Sequence, residues 1–441
     1  MQTITVKFGG TSLASASQIR KAAAIIRSDP ARRFVVASAP GKRTPEDIKV
    51  TDLLYRCCDA ALAGEDFSET LAQIGRRFAD IIRELELDFD LEAELDVIRA
   101  HLNAAPSRDY MASRGEYLNS KLIAAYLGFP FVDAAEMIRF CEDGTLDERF
   151  TDRAMRERLA DMDRAVIPGF YGALPDGTVH TFSRGGSDVT GSLVALATAS
   201  ELYENWTDVS GMLSADPRIV ENPRVIDYIT YTELRELSYM GASVLHEDAV
   251  FPVRKAGIPI NIRNTNRPED PGTRIVARLP AIAHRRTVTG IAGKQGFSSI
   301  HIEKAMMNGE IGFIARLLQI FADLGLSIEH CPSGIDTVSV VVNTEAMQPH
   351  REELLRRIFN ELNPDAVTVE DELALIAVVG EGMASSKGTA ARVFSALYSA
   401  DVNIRMIDQG SSELNIIVSV EDDDYTTALK SIYTAMEGLM K

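Results

Sequence analysis

The sequence predicts an α/β protein, in which a mostly parallel sheet with helices on both faces precedes two ferredoxin-like units of order βαββαβ. The first observation is that strand-like and helix-like segments alternate from the N-terminus to about residue 280, a pattern typical of parallel sheets covered by helices. The second is the turn-rich segment Pro268–Gly272, where the character of the sequence changes. The third is an internal repeat beyond that segment, with the same element order in both copies.

Composition excludes several classes of protein. The 441 residues are 46% hydrophobic and 25% charged, which predicts a globular chain of several domains. A net charge of −18 disfavours binding to nucleic acid or to anionic membranes. The four cysteines form no C-x-x-C pair, and neither a signal peptide nor an apolar run of about 20 residues is visible. We therefore expect a cytoplasmic protein with reduced thiols, with neither a nucleic acid nor a membrane as partner.

The first element is a strand at Thr3–Phe8, followed by Gly9-Gly10. Thr11 and Ser12 are expected to cap a helix from Leu13 to Ser28. A strand, a glycine turn and a helix N-terminus create an anion site, and Lys7 adds a charge at the strand end. The pattern predicts a phosphate site, although an ordinary tight turn remains the alternative. Neither a Walker A motif nor a G-x-G-x-x-G fingerprint is present.

The other elements of the first region follow from apolar periodicity and turn residues. Predicted strands occupy 33–38, 130–134, 164–172, 179–183, 203–209 and 258–264. Predicted helices occupy Val50–Gly64, Phe67–Leu87, Ser107–Leu127 and Ser187–Ser200.

A second glycine turn, Ser183–Asp188, also joins a strand to a helix. Arg184 can grip a carboxylate through two parallel hydrogen bonds. Asp188 is a candidate to hold Mg²⁺, to orient Lys7 or to receive a substrate ammonium, and a capped turn with a surface ion pair is the alternative. Glu116, which follows a glycine in a helix, is a further candidate for an ammonium group. Its alternative is a solvated helix carboxylate.

Thr207 and Asp208 end a predicted strand, where α/β sheets bind ligands. Arg218 follows and could meet a polyphosphate. Trp206 is expected in the core rather than as an adenine platform, and His246 is expected to pack on a helix rather than to catalyse. No His, Cys or carboxylate cluster has the spacing of a zinc site, so we predict no resident metal.

The repeat is the basis for the C-terminal organisation. The first copy has strand 297–303, helix 312–325, strands 326–331 and 337–343, helix 349–363 and strand 366–371. The second copy has strand 373–380, helix 387–400, strands 401–408 and 413–420, and helix 422–439. Because the second copy lacks a closing strand, we expect an early strand at Thr287–Ala292 to complete its sheet. The first copy would then be nested inside the second.

These motifs resemble those of aspartate kinases, in the amino-acid kinase family with tandem C-terminal ACT domains. The motifs are Lys-Phe-Gly-Gly-Thr-Ser at 7–12, Arg-Gly-Gly-Ser-Asp at 184–188, and Thr-Asp-Val with Asp-Pro-Arg across 207–218. The resemblance covers essentially the whole chain. It implies a kinase domain at 1–280, a first ACT domain at 297–371, and a second ACT domain formed by 281–296 and 372–441. Because the chain ends at Lys441, we expect no fused homoserine dehydrogenase.

The resemblance implies transfer of the ATP γ-phosphoryl group to the β-carboxylate of L-aspartate, with Mg²⁺ accompanying ATP, on the route to lysine, threonine and methionine. It implies roles for matched positions. The β- and γ-phosphates would be faced by Lys7, Gly9 and Gly10, and the rest of the nucleotide would be contacted by Thr207, Asp208 and Arg218. The aspartate site would be lined by Ser38, Thr51, Glu116 and Arg184, with Glu116 on the ammonium and Arg184 on the α-carboxylate. Asp188 would orient Lys7 and the substrate.

Regulation is a separate implication of the resemblance. In lysine-sensitive relatives the first ACT unit binds lysine between two chains, which implies a homodimer through these domains and leaves a tetramer open. The matching positions are Met307, Gly312, Phe313, Ile314, Ser327, Ile328 and Glu329. Glu329 would pair with an ammonium; lysine is the expected effector and threonine the alternative. The simpler interpretation is that these residues form only core and dimer contacts.

Two positions depart from the family pattern. Leu213 stands where the family often carries Tyr, and Ser243 where it often carries Lys. Both are on the nucleotide side, which leaves weaker or reshaped ATP binding open. The rival hypotheses are another amino-acid kinase, such as a glutamate or acetylglutamate kinase, and a catalytically silent amino-acid sensor.

Overall fold

The computed structural model describes residues 2–183, 185–242, 245, 247–280 and 286–440, without the side chains of 247–249. The chain divides into two compact units. The first contains Met1–Met212, Val225–Tyr231 and Val244–Leu279. The second contains Leu213–Arg224, Thr232–Ser243 and Pro280–Lys441. The chain therefore contributes two short segments to the second unit before the main C-terminal part begins.

The first unit is built on a seven-stranded sheet in the order β3-β2-β1-β6-β8-β9-β7. All neighbouring pairs are parallel except β8 and β9. Strands β4 and β5 form a separate antiparallel pair. The strands are β1 Ile4–Phe8, β2 Arg32–Ala37, β3 Ala165–Pro168, β4 Tyr171–Ala173, β5 Val179–Thr181, β6 Leu202–Thr207, β7 Tyr228–Thr230, β8 Ile260–Asn264 and β9 Thr273–Val276.

Helices cover both faces of this sheet, and the predicted fold class is confirmed. The helices of this unit are α1 Ala16–Arg27, α2 Val50–Ala63, α3 Ser68–Leu85, α4 Leu91–Ala104, α5 Arg108–Leu127, α6 Glu148–Leu159, α7 Gly186–Ala197 and α9 Glu247–Ala256. Helix α8, Tyr231–Tyr239, belongs to the second unit except for its first residue. Strand β1 lies inside the sheet and is buried on both faces: Val6 and Phe8 are enclosed on one face, and Thr5 and Lys7 are buried on the other. Its C-terminal end therefore lies between the ends of β2 and β6, where the candidate site is found.

The start of the first helix differs from the prediction. Residues Gly10–Leu13 form a short 3₁₀ turn, and α1 begins only at Ala16. Its N-cap is Ser15, whose side chain accepts a hydrogen bond from the Gln18 N–H, so the expected caps Thr11 and Ser12 are wrong. Ser12 is instead buried and bonded to the Thr265 hydroxyl at 2.8 Å. The tertiary partner therefore overrides the local capping preference.

Other elements were missed or misjudged. Helices α4, α6, α8 and α9 and strands β7 and β9 were not predicted. The strand expected at 164–172 is interrupted between β3 and β4, where Phe170 adopts a φ of +80°. The strand expected at 130–134 is reduced to one bridge between Phe131 and Val166. Both expected strands lie at the sheet edge, where local pattern is a weak guide to pairing.

The second unit is built on a six-stranded antiparallel sheet in the order β11-β12-β10-β13-β15-β14. Its strands are β10 Gly290–Glu303, β11 Ile328–His330, β12 Thr337–Asn343, β13 Ala366–Val379, β14 Met406–Asp408 and β15 Asn415–Glu421. Its helices are α10 Phe313–Asp323, α11 Thr344–Met347, α12 Arg351–Leu362, α13 Thr389–Ser399 and α14 Tyr425–Met436.

Two long strands correct the predicted element count. The strands expected at 287–292 and 297–303 are one strand, β10, and those expected at 366–371 and 373–380 are one strand, β13. They pair along most of their length, with register shifts between Lys294 and Phe297 and between Phe297 and Ser299. The N-terminal part of β10 pairs with the part of β13 whose other edge pairs with β15. The C-terminal part of β10 pairs with β12. This pairing is compatible with the nested arrangement, whose domain boundaries remain a prediction.

Candidate active site

Three loops meet at the C-terminal ends of β1, β2 and β6. The Gly9 N–H donates to the Trp206 carbonyl at 3.0 Å, and the Ser38 N–H donates to the Phe8 carbonyl at 3.2 Å. The Gly41 N–H donates to the Gly10 carbonyl at 2.8 Å. A Cβ on Gly10 would lie 2.9 Å from the Ala39 carbonyl oxygen, so the backbones approach as closely as only glycine allows. The result is a narrow, hydrogen-bonded cradle around the end of β1.

Lys7 leaves β1 at this cradle and pairs with Asp188. Its Nζ lies 2.5 Å from Asp188 Oδ1, and both side chains are largely buried. Asn205 on β6 donates through Nδ2 to the same Asp188 oxygen at 2.8 Å. The register of the sheet explains the meeting, because Lys7 and Asn205 are directly paired across β1 and β6. Lys7 and Asp188, both selected from the sequence, are thus brought together.

Sequence reasoning missed Asn205. The one signal that could have revealed it is its position two residues before Thr207, which places both side chains on the same face of β6. Asn205 itself is buried. A buried amide needs hydrogen-bond partners, and Asp188 supplies one.

Asp188 stands in the first turn of α7, whose N-cap Gly185 has the left-handed φ of +59°. The Asp188 N–H donates to the Gly185 carbonyl at 2.8 Å, and the Tyr203 hydroxyl donates to the Asp188 carbonyl at 3.2 Å. A helix N-terminus carries partial positive charge and exposed N–H groups. The turn therefore brings both an anion-binding element and a carboxylate to Lys7. Arg184, expected in the same turn, lies outside the described residues.

Glu116 on α5 is the other ionisable group of the site. Its side chain is only 6% exposed, and Oε2 has no hydrogen-bond partner in the described part of the chain. Burial raises the pKa of the carboxyl to about 8, while the Ala39 backbone and the Lys7 charge lower it in part. The alternative of a solvated carboxylate is therefore wrong. A cation delivered to Oε2 would restore the ionised form.

Gly115 explains how α5 comes so near the loop after β2. A Cβ at this position would stand 2.8 Å from the Ala39 Cβ, so any larger residue would push the helix away. One turn after Glu116, Asn119 Nδ2 donates to the Ser38 carbonyl at 2.7 Å. The expected substrate residue Ser38 is thus tied to the helix that carries Glu116. Thr51 lies in the first turn of α2, which packs against α5.

The expected nucleotide residues fall in two places. Thr207 and Asp208 follow one another at the end of β6, where the Thr207 hydroxyl donates to Asp208 Oδ1 at 3.2 Å. Asn264 at the end of β8 holds this turn through a 3.2 Å bond to the Asp208 carbonyl. Arg218 belongs to the second unit and is ion-paired with Asp216 at 2.6 Å. Ser243 and His246 lie outside the described residues.

Trp206 is buried in the core, as predicted. Its indole N–H donates to Glu204 at 2.9 Å, and the guanidinium groups of Arg32 and Arg263 lie over its ring. Arg32 also makes a buried ion pair with Glu204 at 2.8 Å. This network fixes the end of β6, from which Thr207 and Asp208 emerge.

Across the described residues, no group of three or more His, Cys, Asp or Glu side chains is arranged to hold a metal ion. Within the same part of the chain, no helix is both long and apolar enough to cross a membrane.

The expected effector residues lie in the second unit. Met307 and Phe313 are buried in one apolar core, against which Ile328 packs, so the simpler core interpretation applies to them. Glu329 on β11 accepts a hydrogen bond from the Tyr239 hydroxyl at 2.5 Å. The other expected positions are Gly312, which caps α10 with a φ of +82°, Ile314 in its first turn, and the exposed Ser327.

Comparisons with known proteins identify the families that the chain resembles. The sequence model of the Amino acid kinase family matches residues 2–264, and that of the ACT domain matches residues 376–436. Among characterised proteins, the chain is 43% identical to "Aspartokinase 3" of Bacillus subtilis, over 97% of each chain.

Solved structures extend the likeness. The aspartate kinase of Clostridium acetobutylicum matches with a TM-score of 0.89 and 48% identity, covering 99% of this chain and 100% of that one. Aspartokinase III of Escherichia coli, in complex with aspartate and ADP (R-state), matches with a TM-score of 0.75 and 26% identity, covering 98% and 99%. The same enzyme in complex with lysine and aspartate (T-state) matches with a TM-score of 0.71 and 26% identity, covering 99% of this chain and 100% of that one.

Proposed function

The chain belongs to the aspartate kinases of the amino acid kinase family, and from this premise we propose how its own residues carry out the reaction. As an aspartate kinase it is an allosterically regulated enzyme that phosphorylates aspartate. The proposed products are 4-phospho-L-aspartate and ADP, formed when the β-carboxylate of L-aspartate attacks the γ-phosphorus of ATP.

The observation that carries the assignment is the buried Glu116 carboxyl, with its unpartnered Oε2. A substrate ammonium would supply the missing partner and the charge that ionises Glu116. Ser38, which is tied to α5 through Asn119, and Thr51 on α2 complete the aspartate pocket in this proposal. Arg184 is proposed to hold the α-carboxylate.

The phosphates are proposed to bind at the cradle after β1. A Cβ on Gly9 would lie 3.9 Å from the Lys7 ammonium, so its absence leaves room there for the β- and γ-phosphates. Gly10, which packs closely against the backbone of Ala39 and Gly41, is proposed to face the same phosphates. The N-terminus of α7 adds N–H groups and its dipole. Thr207, Asp208 and Arg218 are proposed to contact the rest of the nucleotide.

The chemistry requires neutralisation of charge more than proton transfer. The β-carboxylate is already ionised at pH 7, so no general base is needed. The obstacle is repulsion between this anion and the triphosphate, which Lys7 and the N-terminus of α7 would offset. Magnesium enters as part of the Mg–ATP substrate and neutralises further phosphate charge. Asp188 holds Lys7 in place through their ion pair, and the Asn205 amide fixes the Asp188 oxygen. Asp188 would thereby orient both Lys7 and the substrate.

The effector is proposed to be lysine, with threonine as the alternative. Support comes from the E. coli aspartokinase III structure in complex with lysine and aspartate, which this chain matches at 26% identity. Glu329 would take the effector ammonium, and Tyr239 occupies that carboxylate in the present structure. We propose that the effector binds between two chains of a homodimer joined through the ACT domains. The reaction itself is proposed to lie on the route to lysine, threonine and methionine. The four free cysteines fit a reducing cytoplasm.

The test is ADP release with Mg–ATP and L-aspartate, compared with L-glutamate, without and with lysine or threonine. We expect turnover with aspartate only, and suppression by lysine. Turnover with glutamate instead would assign a different amino-acid kinase. Absence of turnover with retained lysine binding would assign a silent sensor, and Leu213 and Ser243 would then be the first residues to revert.

A further inference from the structure

Arg114 on α5 is a buried cation with no acidic partner among the residues that the structure describes. Its side chain is 7% exposed, and its guanidinium donates to the neighbouring Ser113 hydroxyl at 3.1 and 2.9 Å and also interacts with the Tyr110 hydroxyl. Within the described part of the chain, no carboxylate oxygen lies at ion-pairing distance. A buried charge is costly unless it is paired. The site therefore calls for a negative group that the described residues do not supply.

Aromatic rings surround this guanidinium and hold it in place. Its central carbon lies 4.4 Å from the centre of the Tyr110 ring, 4.3 Å from that of Tyr117 and 5.6 Å from that of Tyr171. Ring faces attract a cation but leave its in-plane N–H groups free to donate. Five such donors exist on an arginine, and Ser113 accepts from two nitrogens only. The donors that neither Ser113 nor Tyr110 engages are pre-oriented for an oxyanion.

A cavity of about 260 Å³ adjoins Arg114 between α4 and α5. Ala93, Val97 and Ile98 of α4 provide apolar walls. Glu94 also lines the cavity, but its carboxylate is paired with Lys121, so this pair adds no net charge. The cavity thus combines one uncompensated cation with a small apolar compartment, in a chain whose net charge is −18.

We propose that this cavity is a binding site for a small organic carboxylate, separate from the aspartate and ATP sites. The guanidinium would take the carboxylate through parallel hydrogen bonds, and the apolar walls would take a short hydrocarbon body. Arg114 and Glu116 are two residues apart on α5, about 200° around the helix axis, so the two sites lie on opposite sides of one helix. A ligand in this cavity would contact α5, the same helix that carries Glu116.

The test is calorimetric titration of the full-length enzyme, in the absence of ATP, with isovalerate as probe. Isoamyl alcohol tests the hydrocarbon body without charge, and inorganic phosphate tests charge without the body. We expect saturable binding of one isovalerate per chain and at least about tenfold weaker binding of both control compounds. Equal binding of phosphate, or no saturable isovalerate signal, would overturn the proposal.

Three variants locate the site. Arg114→Gln removes the cation, and Val97→Trp fills the cavity from its mouth, where Val97 is 59% exposed. Each should weaken isovalerate binding at least about tenfold, and the second decides the matter if the first fails to fold. The matched control is Arg27→Gln, which removes an exposed arginine from the Tyr126 ring outside the cavity. Unchanged binding in Val97→Trp would refute the assignment.

Discussion

Asn205 and Lys7 share one oxygen atom of Asp188. The ammonium lies 2.5 Å from Asp188 Oδ1, and the Asn205 amide donates to the same atom at 2.8 Å. Because an ionised carboxylate oxygen is only an acceptor, both neighbours must be donors. The arrangement fixes the direction of the Lys7 ammonium at the end of β1. It also makes Asn205 a positioning residue of the site.

Removal of the Lys7 charge should nearly abolish turnover. We expect Lys7→Ala to lower kcat by at least roughly 10²- to 10³-fold, because a positioned donor to the developing phosphoryl charge is lost. Lysine binding should persist, since the expected effector site is in the other unit. The measurement is steady-state ADP release together with calorimetry of lysine binding. Lys21→Ala, on the exposed face of α1, is the control, and retained turnover in Lys7→Ala would remove the phosphate role.

Asn205→Asp should convert the shared contact into a pH-sensitive one. Two carboxylates at hydrogen-bond distance raise the pKa of one of them, so they share a proton at low pH. We therefore expect kcat, relative to the unmodified enzyme, to fall as pH rises from 6 to 9. Asn205→Leu should lower kcat about tenfold without this pH dependence.

A merely structural role for Asn205 predicts a different result. Both variants would then change stability and leave the pH profile of kcat alone. Asn261→Leu is a matched control, because Asn261 is also a buried strand asparagine, on β8. A pH profile of Asn205→Asp parallel to that of the unmodified enzyme would contradict the positioning role.

Aspartate binding should release a proton at neutral pH. Burial holds the pKa of Glu116 at about 8, so the free enzyme carries a neutral carboxyl at pH 7, and an ammonium must ionise it. Affinity for aspartate should therefore improve as pH rises from 6 to 8, by up to about tenfold per unit, and then level off. Calorimetry in buffers of different ionisation enthalpy measures the proton count directly. Glu116→Gln should abolish this release and raise the KM for aspartate roughly 10²-fold.

The raised pKa of Glu116 also makes the stability of the folded protein depend on pH. This folded-state pKa lies above the unfolded value near 4.3, so the folded chain binds more protons between these two values. The free energy of unfolding without ligand should therefore decrease as pH rises from about 4 to 8. The contribution of Glu116 to stability is at its most favourable below the unfolded pKa and is lost as pH rises through the folded pKa. Thermal unfolding of Glu116→Gln should show a smaller decrease over this range. An identical pH dependence in both proteins would mean that Glu116 is already ionised.

Tyr239 should set the sensitivity to the effector. Its hydroxyl holds Glu329 at 2.5 Å, so an effector ammonium has to displace it. We expect Tyr239→Phe to lower the lysine concentration for half-inhibition several-fold, because the competing hydrogen bond is lost. Glu329→Ala should relieve inhibition with basal activity unchanged. Tyr398→Phe, at an 87% exposed tyrosine of the same unit, is the control, and unchanged inhibition in Glu329→Ala would move the effector site elsewhere.

Local pattern was a good guide where an element is long and periodic. The helices predicted at Val50–Gly64 and Ser107–Leu127 agree with α2 and α5 to within a residue or two. Pattern failed where a distant partner decides. Ser12 has the side chain of a helix cap, but Thr265, far along the chain, takes its hydroxyl. The paired predictions for β10 failed because the two copies share continuous strands, and a shared strand leaves no local break.

The sequence by itself determined the α/β class, the two glycine turns, and Lys7, Glu116 and Asp188 as candidates, because motif spacing and periodicity are local properties. Only the tertiary structure decided that Asn205 belongs with Lys7 and Asp188, since the pairing of β1 with β6 joins residues far apart in the chain. It likewise decided that Glu116 is buried beside Ala39 and that Arg114 faces a cavity. Burial and desolvation depend on everything that packs around a group, and no local stretch of sequence contains that information.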